Sequence, residues 1–245
     1  MYTDRPVPHL VAEKRKVILL PIGSCEQHGP YLPIDTDLRI AQLLANKVAK
    51  AFSEEDTLLL PAMPFSCSWE HKGLGTLALT VGTLAAMLHD IAYSLKTWRV
   101  PVLLILVNWH GGNDMLASLA AEITAHEGIP TAVLPSTSQV NRAGEQSNIT
   151  HAKDIHAGAI ETSIVQAYWP DLVALPIPEC AHYEPEISPA KVQSVLQSIG
   201  SYSITKKGIW GAPEHADAEK GYALIEALSA SIHEQVIKLL ELVNI

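Results

Sequence analysis

Apolar positions form two kinds of pattern along the chain, short continuous runs and longer stretches at helical spacing. The continuous runs are typical of strands covered on both faces, and they lie at Val17–Ile22, 57–60, 102–108 and Thr131–Leu134. The helical spacing predicts helices over 37–51, 80–98, 114–126, 156–169, 190–198 and 217–243. Residues 1–16 predict an irregular arm, and the polar stretch 135–155 has no assignable pattern.

Strands that alternate with helices predict an α/β fold, with a mostly parallel sheet covered on both faces in three layers, α/β/α. We interpret residues 1–245 as a single domain, because this length suits one large α/β domain. Sites in such sheets form outside the carboxyl ends of the strands. Polar segments that directly follow the apolar runs are therefore the candidates for chemistry.

The composition favours a small-molecule substrate over a nucleic acid or a membrane. The formal net charge is -9 at pH 7, and no Lys/Arg-rich run supplies the basic surface that either partner needs. The hydrophobic content of 48% is high for a soluble protein, which predicts buried parallel strands or contacts between subunits. A homo-oligomer is therefore expected.

Cysteine usage and hydropathy predict a cytoplasmic protein with reduced thiols. Cys25, Cys67 and Cys180 are odd in number and lack a CxxC spacing, so neither a disulfide framework nor a zinc finger is indicated. Residues 1–16 lack the apolar core of a signal peptide. No apolar run approaches the roughly 20 residues that a membrane helix needs.

The loop after the first apolar run concentrates ionisable side chains between glycines and prolines. It carries Glu26, His28, Asp35 and Asp37, and carboxylates with an imidazole are ligands that divalent cations prefer. Glu26 and His28 point the same way if the segment is extended, and Asp37 could bridge them. The simpler interpretation is that the aspartates cap a helix. Four such groups on one stiff loop favour a metal site.

A second candidate ligand, His110, follows the third apolar run in the sequence NWHGGN. Gly111 and Gly112 allow a close backbone approach or a positive-φ turn. The simpler interpretation is a buried histidine that is satisfied by backbone groups. Its place at the carboxyl edge of the sheet favours a ligand. Asn108 and Asn113 are interpreted as hydrogen-bonding or turn residues around it.

His156 and Glu161 lie at the head of the predicted helix 156–169. Five positions do not share one helix face, so we expect His156 at the N-terminal edge and Glu161 further inside, both overlooking a cleft. A carboxylate in an otherwise apolar helix needs a partner if it is buried. The simpler interpretation is an exposed glutamate.

Other candidates are weaker. Glu70 and His71, in the loop WEHKGLGT, either contact substrate or line the surface, and the sequence does not separate the two. Cys25 lacks a legible activating partner and is interpreted as a packed residue. Side chains interpreted as pocket walls or core residues are Trp69, Trp109 and Trp210. Histidines given a structural role are His9, His89, His126, His151, His182, His215 and His233.

Four motifs together resemble the creatininase (creatinine amidohydrolase) family. GSCEQHGPYLPIDTD resembles its opening motif, and the resemblance continues in order through VNWHGGND, DIHAGAIETS and GIWGAPEHADAEKG, over nearly the whole chain. Members of that family are similar in being single α/β domains with a two-metal centre, and they commonly form hexamers. The resemblance therefore implies two divalent ions, zinc with manganese or iron possible at one site, and a homohexamer that hydrolyses a small amide.

The resemblance also assigns roles position by position. It implies Glu26, His28, Asp37 and His110 as metal ligands, with Asp37 bridging the two ions. His156 falls where the family places a proton-transfer histidine.

Three departures from the family pattern change the expected site. Gly112 stands where creatininase itself has a metal-binding glutamate two residues after the histidine, and Glu161 is the candidate that completes the second metal and acts with His156 in catalysis. Tyr31 replaces a frequent histidine, and KGLGT lacks the usual Phe-Pro. A changed substrate pocket is therefore expected, and creatinine is a less secure expectation than hydrolysis.

The resulting hypothesis is a binuclear metal-dependent amidohydrolase that cleaves a C–N bond of a small non-peptide, formamide or cyclic amide substrate. One alternative is a peptide-trimming or deformylating enzyme of biosynthesis, including the branch that acts on a ribosomally made cofactor precursor. A non-enzymatic alternative is a metal-stabilised assembly protein that binds a ligand without turnover. The role of His156 distinguishes an enzyme from a ligand-binding protein, because a protein that only binds its ligand needs no titratable proton donor.

Overall fold

The computed structural model describes residues 17–53, 56–149, 154–177, 189–201, 205 and 207–243. Predictions that fall elsewhere lie outside the described residues, namely those for the arm over 1–16 and for His9, His151, Cys180 and His182.

One parallel sheet of four strands organises the described chain. The strands are β1 (Val17–Ile22), β2 (Thr57–Leu59), β3 (Leu103–Asn108) and β4 (Thr131–Leu134), and they pair in the order β2-β1-β3-β4. Val17 lies opposite both Thr57 and Leu103, so β1 has a partner on each side. All six residues of β1 are buried, as expected for a strand covered on both faces.

Seven α-helices accompany the sheet among the described residues. They are α1 (Thr36–Ala51), α2 (Val81–Thr97), α3 (Leu116–Glu127), α4 (Thr137–Gln146), α5 (Ala159–Tyr168), α6 (Pro189–Ile199) and α7 (Ala218–Leu242).

The pleat of β1 divides the core between two helical layers. Val17 and Leu19 face one layer, which includes apolar side chains of α1, α5 and α7. Ile18 and Leu20 face the other, built from α2 and α3. Successive strand residues point to opposite faces, so one apolar run supplies both cores. The predicted α/β fold is confirmed by this sheet and its two layers of helices.

Two helices differ from the prediction. The stretch 135–155 contains α4, a largely polar helix that starts with a capping box in which Ser136 and Gln139 satisfy each other's backbone N–H groups. The helix predicted from residue 156 begins only at Ala159. Ala157 has a φ of 50° and Gly158 is extended, so neither residue fits a helix.

None of the described helices combines the length and the apolar character that crossing a bilayer would require.

The N-terminus of α7 offers a test of the fold's stability. The Asp217 carboxylate accepts hydrogen bonds from the backbone N–H groups of Glu219 (2.9 Å) and Lys220 (3.2 Å). Asp217→Ala leaves both groups without this acceptor, so we expect the free energy of unfolding to fall by about 1 kcal/mol in a urea titration. Asp217→Asn, which keeps an acceptor oxygen, is the control. Equal stability of the alanine variant would contradict this role.

Candidate metal centre

Four ionisable side chains meet where β1 and β3 end. Glu26 and His28 lie on the loop after β1, Asp37 lies in the first turn of α1, and His110 follows β3. Their exposed fractions are 1%, 1%, 2% and 8%. Because β1 and β3 are neighbouring parallel strands, their carboxyl ends place these loops side by side.

Asp37 lies between the two histidines. Its Oδ1 is 3.2 Å from His28 Nε2, and its Oδ2 is 3.0 Å from His110 Nδ1. The Ser24 hydroxyl donates to Oδ2 at 2.8 Å and fixes the carboxylate. Asp37 is therefore not the helix cap of the simpler interpretation. Asp35 occupies the N-cap position, and its side chain pairs with Arg39 instead.

Each oxygen of Asp37 faces a different histidine, and on that basis we group the neighbouring donor atoms into two half-sites. The His28 half-site consists of His28, Asp37 and Glu161, and His28 Nε2 lies 3.8 Å from Glu161 Oε2. The His110 half-site consists of Glu26, Asp37 and His110, and His110 Nδ1 lies 3.2 Å from Glu26 Oε1. Ligands around a tetrahedral zinc ion with bonds of about 2.0–2.1 Å are roughly 3.3 Å apart. The four measured pairs of donor atoms, at 3.0–3.8 Å, bracket this spacing. Sets of three donor groups within 4.8 Å of one another among the described residues include Glu26 with His28 and Asp37, and His28 with His156 and Glu161.

The free carboxylate oxygen of Glu26 fits this interpretation. Oε2 is buried and lacks a hydrogen-bond partner within the described chain. A buried anionic oxygen is costly unless a cation or a donor compensates it. A bound divalent ion supplies that compensation.

Hydrogen bonds fix which nitrogen of each histidine faces the centre. His28 Nδ1 lies 3.0 Å from the carbonyl oxygen of Glu26, and His110 Nε2 lies 2.7 Å from that of Cys67. A carbonyl only accepts, so these nitrogens carry the proton. When the rings are neutral, as a metal ligand must be, His28 Nε2 and His110 Nδ1 carry the lone pairs that face Asp37, which is the arrangement that metal-bound histidines use.

The Cys67 carbonyl is itself held in place through two asparagines. Cys67 N–H donates to Asn113 Oδ1 at 3.2 Å, and Asn113 Nδ2 donates to Asn108 Oδ1 at 2.9 Å. Asn108 Nδ2 in turn donates to the carbonyl of His110 at 2.9 Å.

The electrostatics of the cluster favour positive charge. Burial alone would lower the pKa of His28, but Asp37, Glu161 and Glu26 outweigh it and raise the pKa to about 10. Burial also opposes protonation of His110, yet Glu26 and Asp37 raise its pKa well above the usual value. Burial raises the pKa of Glu26 and of Glu161. Protonated imidazoles therefore supply the positive charge that balances the buried carboxylates, as bound metal cations can.

Glu161 enters the centre from the first turn of α5. Its Oε1 accepts from the indole N–H of Trp109 at 3.3 Å, and its Oε2 accepts from the backbone N–H of Ala157 at 2.6 Å. It is thus not the exposed glutamate of the simpler interpretation. Trp109 is both a core residue and part of the cavity wall.

His156 lies beside the half-sites on an extended segment. Backbone hydrogen bonds pair it with Trp210, from His156 N–H to the Trp210 carbonyl (2.9 Å) and from Trp210 N–H to the His156 carbonyl (2.7 Å). His156 Nε2 donates to the carbonyl of Gln27 at 2.7 Å, so Nδ1 is free and lies 3.6 Å from Glu26 Oε1. Burial, together with the charge on His28, lowers the pKa of His156 to about 4.

Gln27 is a residue of the site that the sequence did not indicate. Its Nε2 donates to His71 Nδ1 at 2.8 Å, and the His71 ring lies in tilted contact with the ring of His156, with the ring centres 4.2 Å apart. His71 is 5% exposed, so it lies inside the site and not on the surface. The only sequence signal for Gln27 was its position between Glu26 and His28.

Three other candidates lie away from the centre. Tyr31 is buried, and its hydroxyl donates to the carbonyl of Ala157, which lies next to His156 in the chain. Burial raises the pKa of the Cys25 thiol, which argues against a nucleophile. Trp69 is 54% exposed, and its indole N–H donates to the carbonyl of Leu79.

A cavity of about 320 Å³ opens onto the donor atoms. Its polar wall includes Glu26, Asp37, His110, His156 and Glu161, and its apolar wall includes Trp109, Val140, Ile155 and Ile160. A substrate held there would contact both ionisable and apolar groups.

Comparison with known proteins decides the family. The creatininase family model, described as creatinine amidohydrolase, matches residues 3–236. The chain belongs to the creatininase family. The family prediction is thereby confirmed, and the chain is a creatininase-family hydrolase.

The relatives differ in what their names say they act on. The mycofactocin precursor peptide peptidase of Mycolicibacterium smegmatis is 31% identical over 209 residues, which cover 84% of this chain and 78% of the relative. The creatinine amidohydrolase of Pseudomonas putida is 27% identical over 177 residues, covering 65% and 66%. A solved structure described as "Creatininase Mn" superposes with a TM-score of 0.75 at 20% identity and covers 96% of both chains, which confirms the fold.

Metal binding to this creatininase-family chain should release protons. The pKa of His28 is raised to about 10, so without a cation its imidazole is protonated at neutral pH, whereas a metal ligand must be neutral. We expect metal affinity to rise with pH, up to about tenfold per unit for each proton released. Calorimetric titration with zinc in buffers of different ionisation enthalpy measures the released protons. A heat that is independent of the buffer would contradict this expectation.

Proposed function

We propose that this chain is a two-metal amidohydrolase that cleaves a C–N bond next to a carbonyl carbon. The observation that carries the proposal is Asp37, which directs one oxygen to each half-site. Two ions that share one carboxylate are held close together, as two-metal hydrolysis requires. Imidazole with carboxylate donors suits zinc, and it also accepts manganese or iron, so we propose zinc with either of these at one half-site.

Bound ions would polarise the scissile carbonyl and lower the pKa of an attacking water. The chain's own side chains hold and orient this chemistry. His28 and Glu161 serve one half-site, Glu26 and His110 serve the other, and Asp37 spans both. The carbonyls of Glu26 and Cys67 keep the two imidazoles aimed inward.

We propose that His156 moves the proton. The sequence predicted a group that titrates near neutral pH; burial, the largest cause, lowers the pKa of the His156 imidazole, and we take the neutral form as the starting state. His156 is therefore neutral at the start and accepts a proton from the attacking water at Nδ1. It then gives that proton to the departing nitrogen. Its Nε2 stays hydrogen-bonded to the Gln27 carbonyl, so the ring keeps its orientation.

Two substrate classes are consistent with this chemistry, and we place the peptide first. The support is the relative that is 31% identical and named a precursor peptide peptidase, against 27% for the creatinine amidohydrolase. The apolar wall of the cavity, with Val140, Ile155 and Ile160, suits an apolar peptide side chain. A small non-peptide or cyclic amide is the second candidate. An activity screen over short peptides, formamides, cyclic ureas and creatinine separates the two.

Asp37→Asn tests the two-metal centre. Loss of the shared charge should remove metal from both half-sites and lower turnover roughly a thousandfold or more. Metal content by mass spectrometry and hydrolysis of the best substrate in the screen are the measurements. Asp35→Asn is the matched control, because Asp35 pairs with Arg39 outside the centre. Full activity of metal-free Asp37→Asn protein would overturn the proposal.

His156→Asn tests the proton-transfer role and separates an enzyme from a ligand-binding protein. Asparagine cannot carry the proton, so kcat should fall about 10²–10⁴-fold while two equivalents of metal stay bound. His89→Asn is the control, because His89 pairs with Glu122 and Glu127 on the protein surface. Unchanged kcat would argue against the role. Loss of one metal equivalent would instead identify His156 as a ligand.

A further inference from the structure

Glu70 lies outside the two half-sites defined around Asp37, yet its carboxylate lies against His110. It belongs to the short helical turn Trp69–His71, and its Oε1 lies 3.4 Å from His110 Nε2. This is the ring nitrogen opposite the one that faces Glu26 and Asp37. Glu70 therefore approaches the outer edge of the imidazole, where the N–H already donates to the Cys67 carbonyl.

Gly112 makes this approach possible. A Cβ atom added at Gly112 would lie 2.0 Å from Glu70 Oε1 and 2.5 Å from His110 Nε2. Both distances are far shorter than a van der Waals contact, so a side chain at residue 112 would displace the carboxylate, the imidazole or both. The missing side chain thus leaves room for Glu70 to reach His110.

We propose that Glu70 is a positioning residue for the His110 half-site, acting on His110 through the space that Gly112 leaves open. The inference rests on the proposed two-metal centre and adds a residue to it. A carboxylate beside the N–H of a metal-bound histidine fixes the ring and makes its other nitrogen a stronger donor. Glu70 and the Cys67 carbonyl act together on one N–H group, with the Ser68 hydroxyl 3.3 Å away.

The unpartnered oxygen of Glu26 points to the same half-site. One donor atom each from Glu26, Glu70 and His110 lies within 4.8 Å of the others, and Glu26 Oε2 is buried without a hydrogen-bond partner in the described residues. The His110 half-site thus has negative charge on both sides of one imidazole. This arrangement stabilises a cation there. Removal of the Glu70 charge should therefore weaken metal binding at this half-site, and a measured metal affinity tests this directly.

Glu70→Gln removes the charge and keeps the shape. Measured by competition with a chromogenic chelator, one of the two zinc ions should bind about 10–100-fold more weakly, and the other should be unaffected. Glu70→Asp keeps the charge and should recover part of the loss. Glu127→Gln is the matched control, because it makes the same chemical change at a carboxylate that pairs with His89 and Lys96 away from the centre. It should bind both ions as the unaltered protein does.

Cobalt substitution distinguishes positioning from direct ligation. If Glu70 acts through His110, the cobalt-loaded Glu70→Gln protein keeps two equivalents and the intensity of its visible absorption bands. Unchanged affinity for both ions would overturn the proposal. Loss of one whole equivalent with altered absorption would overturn it too, because Glu70 would then be a ligand. Fewer than two equivalents in the unaltered protein would instead refute the two-metal centre itself.

Discussion

The shared carboxylate of Asp37 is the constraint on which the centre depends. Charges buried to this degree cost several kcal/mol each unless they are paired. Asp37 offsets that cost by facing His28 with one oxygen and His110 with the other, while the Ser24 hydroxyl donates a hydrogen bond to Asp37 Oδ2. Its position depends on a close backbone contact, since a Cβ at Gly23 would lie 2.3 Å from the backbone of Leu38. The end of β1 and the start of α1 can therefore touch.

The remaining donor groups, His110 and Glu161, come from elements that lie near the contact between β1 and α1. β3 lies next to β1 and carries His110 to the same edge of the sheet. Helix α5, packed against α7 in the same layer, presents Glu161 from its first turn. The sheet thus supplies the strand ends that the two histidine-bearing segments follow, and the helical layer supplies a carboxylate. Because these elements share one core, the donor atoms are held together without a long flexible loop between them.

Sequence patterns predicted the sheet because buried parallel strands read as continuous apolar runs, and they predicted the long amphipathic helices from their spacing. Helix α4 was missed because it is mostly polar, although its S-x-x-Q capping box at Ser136 was legible. The helix start at residue 156 was wrong because Ala157 adopts a positive φ, which side-chain spacing does not encode. The proximity of Glu70 and Gln27 to histidines far away in sequence depends on tertiary packing. Only the coordinates show which oxygen of Asp37 faces which ring.

The backbone pairing of His156 with Trp210 ties the proposed proton carrier to a distant part of the chain. All five proposed ligands precede residue 162, whereas Trp210 lies well beyond the last of them. A change in the segment around Trp210 would therefore move the His156 imidazole without altering any residue that faces a metal ion. The proton carrier and the metal ligands thus depend on separate segments of the sequence.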